Sequence, residues 1–263
     1  MPRFAANLSM LFTEHPFLER YAAAARAGFR GVECWFPYAH DAAVVAERLD
    51  THGLQQVLIN APAGDWTGGE RGIGSHPRRI NEFREGIDIA IDYARVIGCR
   101  QINVLAGIAP EGVDAETMEG TLLANLRFAA RRMSEHGLTL LLEPINTRDI
   151  PGYAVSRSRQ ALAMLEATGV GNTRLQYDCF HMQVMEGNLA ETLQRHIDRI
   201  GHIQIADNPG RGAPGSGEIN YGFLFDWLDR IGYTGWVSAE YLPGLDTCAS
   251  LKWLQPYLEE TPP

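Results

Sequence analysis

Four oxygen-bearing side chains stand at or near the ends of four successive apolar segments in the second half of the chain. They are Glu143, Asp178, Gln204 and Glu240, separated by 35, 26 and 36 residues. Each gap is about one strand–helix unit, so a barrel of such units brings all four to one mouth. Three carboxylates that close together repel one another unless a cation lies among them. The all-oxygen set favours a divalent ion such as Mg²⁺ or Mn²⁺ over Zn²⁺.

A metal site of this kind is suited to moving a proton between adjacent carbons of a small hydroxy-carbonyl compound. A divalent ion that binds both substrate oxygens acidifies the α-hydrogen and stabilises the developing enediolate. We expect Glu143 and Glu240 to act as acid and base, because strands five and eight would place them on two sides of a bound substrate. For any one acid alone, a surface charge at a strand end is the competing interpretation.

Three further polar residues are candidates for substrate contacts. His181, in the segment DCFHM, is placed to hydrogen-bond a substrate oxygen or a water near the metal; a helix-start histidine satisfied by backbone is the alternative. Arg211 lies in the loop DNPGRGAPGSGEINY, where its guanidinium could pair with a substrate carboxylate or remain a solvated charge. Arg71 lies in the Gly-rich loop APAGDWTGGERGIG, whose Trp66 and Glu70 are also unusual in a mere connector.

The elements that must position these residues alternate throughout the chain. Short β-branched runs predict strands at Phe4–Ser9, Gly31–Cys34, Gln55–Asn60, Gln101–Ala106, Leu138–Glu143, Arg174–Asp178, His202–Ala206 and Trp236–Glu240. Amphipathic segments predict helices at Phe17–Ala27, Ala42–His52, Pro77–Ile97, Ala115–Glu135, Arg157–Ala167, Val184–Ile200, Phe223–Ile231 and Thr247–Leu258.

Eight such units with nearly continuous apolar strands predict an α/β fold, a single (β/α)₈ TIM-barrel domain over residues 1–263. Closing the sheet removes its edges. The alternative is a doubly wound open sheet, but no GxGxxG turn follows the first strand. His202 shares a face with Gln204, two residues on, and we expect it to fill the barrel interior.

Composition excludes several other classes of protein. The net charge of −9 argues against nucleic-acid binding. Lys252 is the only lysine and lies outside the predicted strands, which argues against Schiff-base chemistry. No segment is long and apolar enough for a membrane span, and the N-terminus is too polar for a signal peptide. Four cysteines without a paired spacing fit a reduced, cytoplasmic protein.

The assembled sequence resembles the hydroxypyruvate isomerase family, within the xylose-isomerase-like TIM barrels. The motifs that carry the resemblance span nearly the whole chain: FAANLSMLF, GFRGVE with WFPY, PAGDW with GERG, EPIN with DIPG, LQYDCFHMQ, HIQIADNPGRGAPGSGEINY and GWVSAEY. It implies interconversion of hydroxypyruvate and 2-hydroxy-3-oxopropanoate (tartronate semialdehyde) through an enediol. It also implies no redox or nucleotide cofactor, Glu143 and Glu240 as the acid/base pair, and a divalent metal held by Glu143, Asp178, Gln204 and Glu240.

The same resemblance leaves some alternatives open. His181 and Arg211 match substrate-contacting positions in related sugar epimerases, where a histidine usually replaces Gln204. That difference argues against a keto-sugar 3-epimerase and leaves open the isomerisation of a four-carbon 2-oxo-tetronate. An inosose-type dehydratase needs a wider pocket, an apurinic endonuclease needs a histidine-rich zinc cluster, and a non-catalytic sugar-acid binder needs no turnover. A homo-oligomer is compatible with the resemblance, although the sequence does not decide it.

Overall fold

Eight parallel strands close into a barrel in which each strand pairs with its neighbours in chain order. The structure, a computed structural model, describes residues 1–258. The predicted TIM-barrel fold is therefore confirmed. The strands are β1 (Arg3–Asn7), β2 (Gly31–Cys34), β3 (Gln55–Asn60), β4 (Gln101–Val104), β5 (Thr139–Leu142), β6 (Thr173–Asp178), β7 (Ile200–Ile205) and β8 (Trp236–Ala239).

The helices cover the outer face of this sheet, and their buried sides join the outward side chains of the strands in one large apolar core. Within residues 1–258 no helix combines the length and apolarity needed to cross a bilayer, and the four cysteines are all free thiols. The helices are α1 (Phe17–Arg26), α2 (Ala42–His52), α3 (Ile80–Val96), α4 (Ala115–Ser134), α5 (Ser158–Ala167), α6 (Cys179–Met185), α7 (Leu189–His196), α8 (Tyr221–Arg230), α9 (Thr247–Ser250) and α10 (Gln255–Leu258).

The alternation of side chains along the strands decides what enters the barrel. In β5, Leu140 and Leu142 join the outer core, whereas Leu141 joins a small separate cluster with Ala5. Successive strand residues point to opposite faces, so this second cluster fills the barrel interior. Glu143 has the parity of Leu141 and therefore points inward at the end of β5.

Two predicted helices are wrong in extent. The predicted helix Val184–Ile200 is divided into α6 and α7, because Asp178 caps a helix that begins at Cys179 and the left-handed residues Gly187 and Asn188 end it. The predicted closing helix Thr247–Leu258 is also broken, into α9, a 3₁₀ turn at Leu251–Trp253 and α10. Pro256 has no N–H to bond the preceding turn, which prevents one continuous helix.

The ends of some elements differ from the predicted ends by a few residues. The first strand ends at Asn7 instead of Ser9, because the Asn7 Oδ1 accepts the Ser9 N–H at 2.9 Å and bends the chain there. The fourth strand ends at Val104 instead of Ala106. The third helix begins at Ile80, three residues after the predicted Pro77, because the preceding residues belong to the long loop after β3.

The loops after β3 and β4 meet at a glycine contact beside the barrel mouth. Gly107 has φ +97°, and a Cβ there would lie 2.3 Å from the Gly72 carbonyl oxygen.

We expect Gly107→Ala to lower the free energy of unfolding by about 2–5 kcal/mol, because alanine is strained in the left-handed region and its methyl group would overpack the contact. Gly98 is a control with φ +67° and open space around it; Gly98→Ala should cost only about 1–2 kcal/mol. Urea denaturation measures both, and equal losses would contradict the contact.

Candidate active site

The three predicted acids lie together at the carboxyl ends of their strands. Glu143 follows β5, Asp178 ends β6 and Glu240 follows β8. Their side chains are almost completely removed from solvent, at 5%, 0% and 3% exposure. This is the end of a TIM barrel where catalytic groups are found, so the strands bring together the acids that the sequence pattern predicted.

Glu143 and Asp178 each have one oxygen held by the protein and one turned toward the shared space. The Glu143 Oε2 accepts from the Asn103 Nδ2 at 3.1 Å. The Asp178 Oδ1 accepts the backbone N–H groups of Phe180 and His181, at 2.7 and 3.2 Å. These bonds fix the two carboxyl groups and leave Glu143 Oε1 and Asp178 Oδ2 facing the site.

Glu240 is held in the same way by donors from the first half of the barrel. Its Oε1 accepts from the Asn7 Nδ2 at 2.7 Å and from the Trp35 indole N–H at 2.6 Å. Its Oε2 accepts from the guanidinium of Arg211. All three acids therefore present one oxygen inward from a fixed carboxyl group.

Arg211 supplies the positive charge among these acids. Its Nη2 bonds Glu240 and lies 3.4 Å from the Asp178 Oδ2, and its guanidinium packs 5.4 Å from the centre of the Phe180 ring. Sequence analysis predicted Arg211 as a substrate contact. In the structure it is the counter-charge of Asp178 and Glu240, and its role as a substrate contact stays a prediction.

Burial and mutual repulsion shift the protonation of the two glutamates. Burial, with the charges of Glu33 and Asp178, raises the pKa of Glu240 to about 8, although Arg211 lowers it in part. Burial also raises the pKa of Glu143 well above its usual range, and the nearby Glu240 and Asp178 add to the rise. At a pKa of about 8, the Glu240 carboxyl group can hold or release a proton near neutral pH, as an acid/base catalyst must.

His181 lies between two of the acids, in the first turn of α6. Its Nε2 is 3.8 Å from the Glu143 Oε1 and 3.6 Å from the Asp178 Oδ2. Burial lowers the pKa of His181 to about 4, so the imidazole is neutral at neutral pH. Ligand atoms of Glu143, Asp178 and His181 all lie within 4.8 Å of one another. The structure therefore adds His181 to the neighbourhood of the predicted metal ligands.

Gln204 points into the barrel and is engaged at both ends of its amide. Its Nε2 donates to the Glu33 Oε1 at 2.8 Å, and its Oε1 accepts from the Gln176 Nε2 at 2.7 Å. The oxygen keeps a second lone pair for a cation, so its role as a metal ligand stays a prediction. His202 is fully buried and its Nε2 lies 2.6 Å from the Glu33 Oε2, in the barrel interior as expected.

Arg71 lies farther out, at the end of a row of aromatic rings. Its guanidinium stacks 4.4 Å from the centre of the Trp66 ring, and Trp66 lies 5.5 Å from Trp35, whose N–H bonds Glu240. The Arg71 Nη1 donates to the carbonyl oxygens of Trp66 and Glu70. Among residues 1–258 no carboxylate lies within ion-pair distance of Arg71, which leaves its charge available to a ligand.

Sequence analysis missed the polar residues that hold this site. Glu33 is a buried carboxylate inside β2. One of its oxygens accepts hydrogen bonds from the Asn7 and Gln204 amides, and the other faces the His202 ring. The available signal was an acid in the otherwise apolar run GVEC. Asn146, three residues after Glu143 in EPIN, was also missed; its Nδ2 lies 2.7 Å from the His181 Nδ1.

The donor set fits a divalent cation. Three fixed carboxyl groups direct one oxygen each toward a common space. Burial raises the pKa of Glu143, and the charges of Glu240 and Asp178 raise it further. A bound ion would relieve that repulsion, with Glu143, Asp178 and Glu240 as oxygen ligands and Gln204 beside them.

Comparisons with known proteins agree with this fold. The profile described as "Xylose isomerase-like TIM barrel" matches residues 21–257. A 2-oxo-tetronate isomerase of Cupriavidus necator is 50% identical and a hydroxypyruvate isomerase of Escherichia coli 49%; the alignments cover 98% of this chain and 99% and 100% of the relatives. A crystal structure described as AP endonuclease, family 2, from Brucella melitensis has TM-score 0.95 and 45% identity over 98% of this chain and 99% of that one. The resemblance found in the motifs is thus confirmed, and the chain belongs to the xylose isomerase-like TIM barrel family, among relatives named isomerases.

Proposed function

We propose that this protein is a metal-assisted isomerase that interconverts hydroxypyruvate and 2-hydroxy-3-oxopropanoate through an enediol. The observation that carries the proposal is the pair of buried carboxyl groups, Glu143 and Glu240, with raised pKa values around one small space. The reaction needs one group to remove a proton from carbon and another to return it to the neighbouring carbon. Both positions face a site that already holds a donor, His181, and a cation, Arg211.

The atoms balance without an oxidant or a co-reactant. One glutamate takes a hydrogen from C3 of hydroxypyruvate while the C2 oxygen gains a proton, which forms the enediol. A carboxyl group then returns a proton to C2 while the C3 hydroxyl loses its own. We assign the carbon proton transfers to Glu143 and Glu240 and the oxygen-facing hydrogen bond to His181. A divalent metal, Mg²⁺ or Mn²⁺, would polarise the substrate oxygens when bound.

In this proposal Arg71 and Arg211 bind different oxygen atoms of the substrate. Arg211 bonds Glu240 and approaches Asp178, so its charge is used within the acid cluster. Arg71 has no carboxylate partner within residues 1–258 and sits over Trp66 at the edge of the site. We assign Arg71 to the substrate carboxylate and Arg211 to the oxygens near the reacting carbons.

A four-carbon substrate is the second candidate. The relative named for 2-oxo-tetronate is 50% identical and the one named for hydroxypyruvate 49%, so overall likeness does not separate the two substrates. Both compounds carry the same carboxylate and adjacent oxygens and differ by one hydroxymethyl carbon. Comparing kcat/KM for the two, with the same metal, decides between them.

Endonuclease and dehydratase activities have weaker support. The Brucella melitensis structure is titled as an endonuclease, but this chain has net charge −9 and its site is rich in carboxylates, which repel phosphodiesters. The acids are also almost completely buried, which favours a small acyclic compound over an inosose ring.

Removing either glutamate should abolish turnover while leaving the fold intact. We expect Glu143→Gln and Glu240→Gln each to lower kcat for hydroxypyruvate about 10²- to 10⁴-fold, because each removes an acid/base group. Wild-type activity should also disappear after exhaustive chelation and return with Mg²⁺ or Mn²⁺. The assay follows formation of 2-hydroxy-3-oxopropanoate. Glu85→Gln, an exposed change on α3, is the matched control. Full activity in the metal-free wild type would refute the metal role.

Arg71→Met should raise KM for hydroxypyruvate about 10- to 100-fold with little change in kcat. Hydrogen bonds to charged groups contribute about 1.5–3 kcal/mol, and about 1.4 kcal/mol corresponds to a factor of ten. Arg30→Met is the control, since Arg30 is exposed and precedes β2 at the opposite end of the barrel. Steady-state kinetics on the metal-loaded variants measures the effect. A fall in kcat at unchanged KM would place Arg71 outside carboxylate binding.

The metal-free protein should lose stability as pH rises. The pKa of Glu240 is about 8 in the folded chain and about 4.3 when unfolded. The folded state therefore binds more protons between these values, and the free energy of unfolding falls as pH increases through that range. Tm measured with chelator from about pH 5 to about pH 8 should decline more steeply for wild type than for Glu240→Gln. The exposed variant Glu85→Gln should keep the wild-type slope; identical slopes in all three would contradict the ionisation of Glu240.

A further inference from the structure

Asn146 is a buried amide in the loop after β5, and its orientation is fixed by the backbone. Its side chain is fully buried. The Oδ1 accepts the backbone N–H groups of Arg148 and Asp149, at 3.0 and 2.8 Å. A backbone N–H can only donate, so the oxygen of Asn146 must face these two residues. The amide nitrogen is thereby turned to the other side.

On that side, the Asn146 nitrogen meets a ring nitrogen of His181. The Nδ2 lies 2.7 Å from the His181 Nδ1 and donates its other hydrogen to the Asp149 Oδ2 at 3.0 Å. An –NH₂ group has donors only. The His181 Nδ1 must therefore accept, which requires that it carries no proton. The proton of the neutral ring is then on Nε2.

The Nε2–H points into the acid cluster. It lies 3.8 Å from the Glu143 Oε1 and 3.6 Å from the Asp178 Oδ2, both beyond hydrogen-bond distance. The hydrogen thus faces the space between the two acids, and within residues 1–258 neither carboxylate is at bonding distance from it. In that position it is available to an oxygen atom of a bound substrate.

From this geometry we propose that Asn146 is the positioning residue that selects the Nε2-protonated tautomer of His181. The selected tautomer makes His181 a hydrogen-bond donor to substrate and withholds its Nε2 lone pair from a cation. The metal is then bound by oxygen atoms alone, although His181 lies within 4.8 Å of Glu143 and Asp178. The donor role toward substrate rests on the proposed isomerase function; the tautomer itself does not.

A two-residue exchange inverts the direction of this hydrogen bond. In the double variant Asn146→Asp with Asp149→Asn, one oxygen of the introduced carboxylate still accepts the two backbone N–H groups. The other oxygen accepts from the introduced amide and from His181, whose proton must move to Nδ1. The net charge of the chain and the number of hydrogen bonds are unchanged, so the exchange alters chiefly the tautomer.

Nitrogen NMR reads the tautomer directly. In ¹⁵N-histidine-labelled, metal-free wild type, the His181 signals, assigned with His181→Gln, should show a protonated Nε2 and an unprotonated Nδ1. The exchange variant should show the reverse. Circular dichroism checks that it folds; should it not, the wild-type spectrum alone still decides. A wild-type ring protonated on Nδ1, or an exchange variant with the wild-type tautomer, would overturn the proposal.

Zinc binding gives a second measurement, independent of activity. In the exchange variant the free Nε2 joins Glu143 and Asp178 as a nitrogen ligand that suits Zn²⁺. We expect Zn²⁺ alone to bind about 10- to 100-fold more tightly by calorimetry than it binds wild type, with little change for Mg²⁺. If the exchange variant and the wild type bind Zn²⁺ with equal affinity, the claim that the tautomer withholds the Nε2 lone pair from a cation is wrong. If the wild-type ring is protonated on Nε2 but the enzyme shows no turnover, only the isomerase function is refuted. If the enzyme turns over but the ring is protonated on Nδ1, only the tautomer assignment is refuted.

Discussion

The repulsion among three buried carboxyl groups is the constraint on which the rest of this site depends. Glu143, Asp178 and Glu240 are almost fully buried. Burial raises the pKa of Glu143 and of Glu240, and the nearby carboxylates add to both rises. Such a cluster persists only with compensating positive charge and donors. Arg211 provides positive charge beside Asp178 and Glu240, and one oxygen of each acid is held by amide or indole N–H groups. The inward oxygens are consequently left in fixed positions.

Between the acids and the apolar cluster of Ala5 and Leu141, the barrel interior is polar, where many barrels have aliphatic side chains. Glu33 links Asn7, His202 and Gln204 there. Asn7 also donates to Glu240, so the buried network extends from the catalytic mouth to the middle of the barrel. A hydrogen-bonded interior of this kind is costly unless nearly every group has a partner. Asn7 and Gln204 must therefore be amide side chains at these two positions if Glu33 is to keep its hydrogen-bond donors.

Much of this arrangement follows from sequence pattern. The acids end predicted strands of the correct parity, and the period of the strands is sufficient to place Glu143, Asp178 and Glu240 at one mouth. The division of the helix after β6 was not predicted, because it depends on Asp178 acting as a cap as well as a site residue. Glu33 and Asn146 were missed because their roles come from partners distant in sequence: His202 is 169 residues from Glu33, and His181 is 35 residues from Asn146.

Spacing alone also does not assign an arginine to a partner. Arg71 and Arg211 both lie in Gly-rich loops, and the pattern treats them alike. Only the three-dimensional arrangement separates them, since Arg211 reaches Glu240 while Arg71 packs on Trp66. The same holds for Gln204 of β7, whose amide is oriented by Gln176 from the adjacent β6 and by Glu33 from β2, which is not paired with β7.

The aromatic row that begins at Arg71 ends on Glu240 through the Trp35 indole. The loops after β2 and β3 are therefore linked to the acid cluster through the hydrogen bond from Trp35 to Glu240, next to the bond that Asn7 of β1 donates to the same oxygen. Lineages that remodel those loops to accept a longer or shorter acid can leave the acid cluster unaltered as long as Trp35 keeps its place. Sequence changes that move the Trp35 ring would instead alter the pKa of Glu240. Substrate range and catalytic rate would then change together.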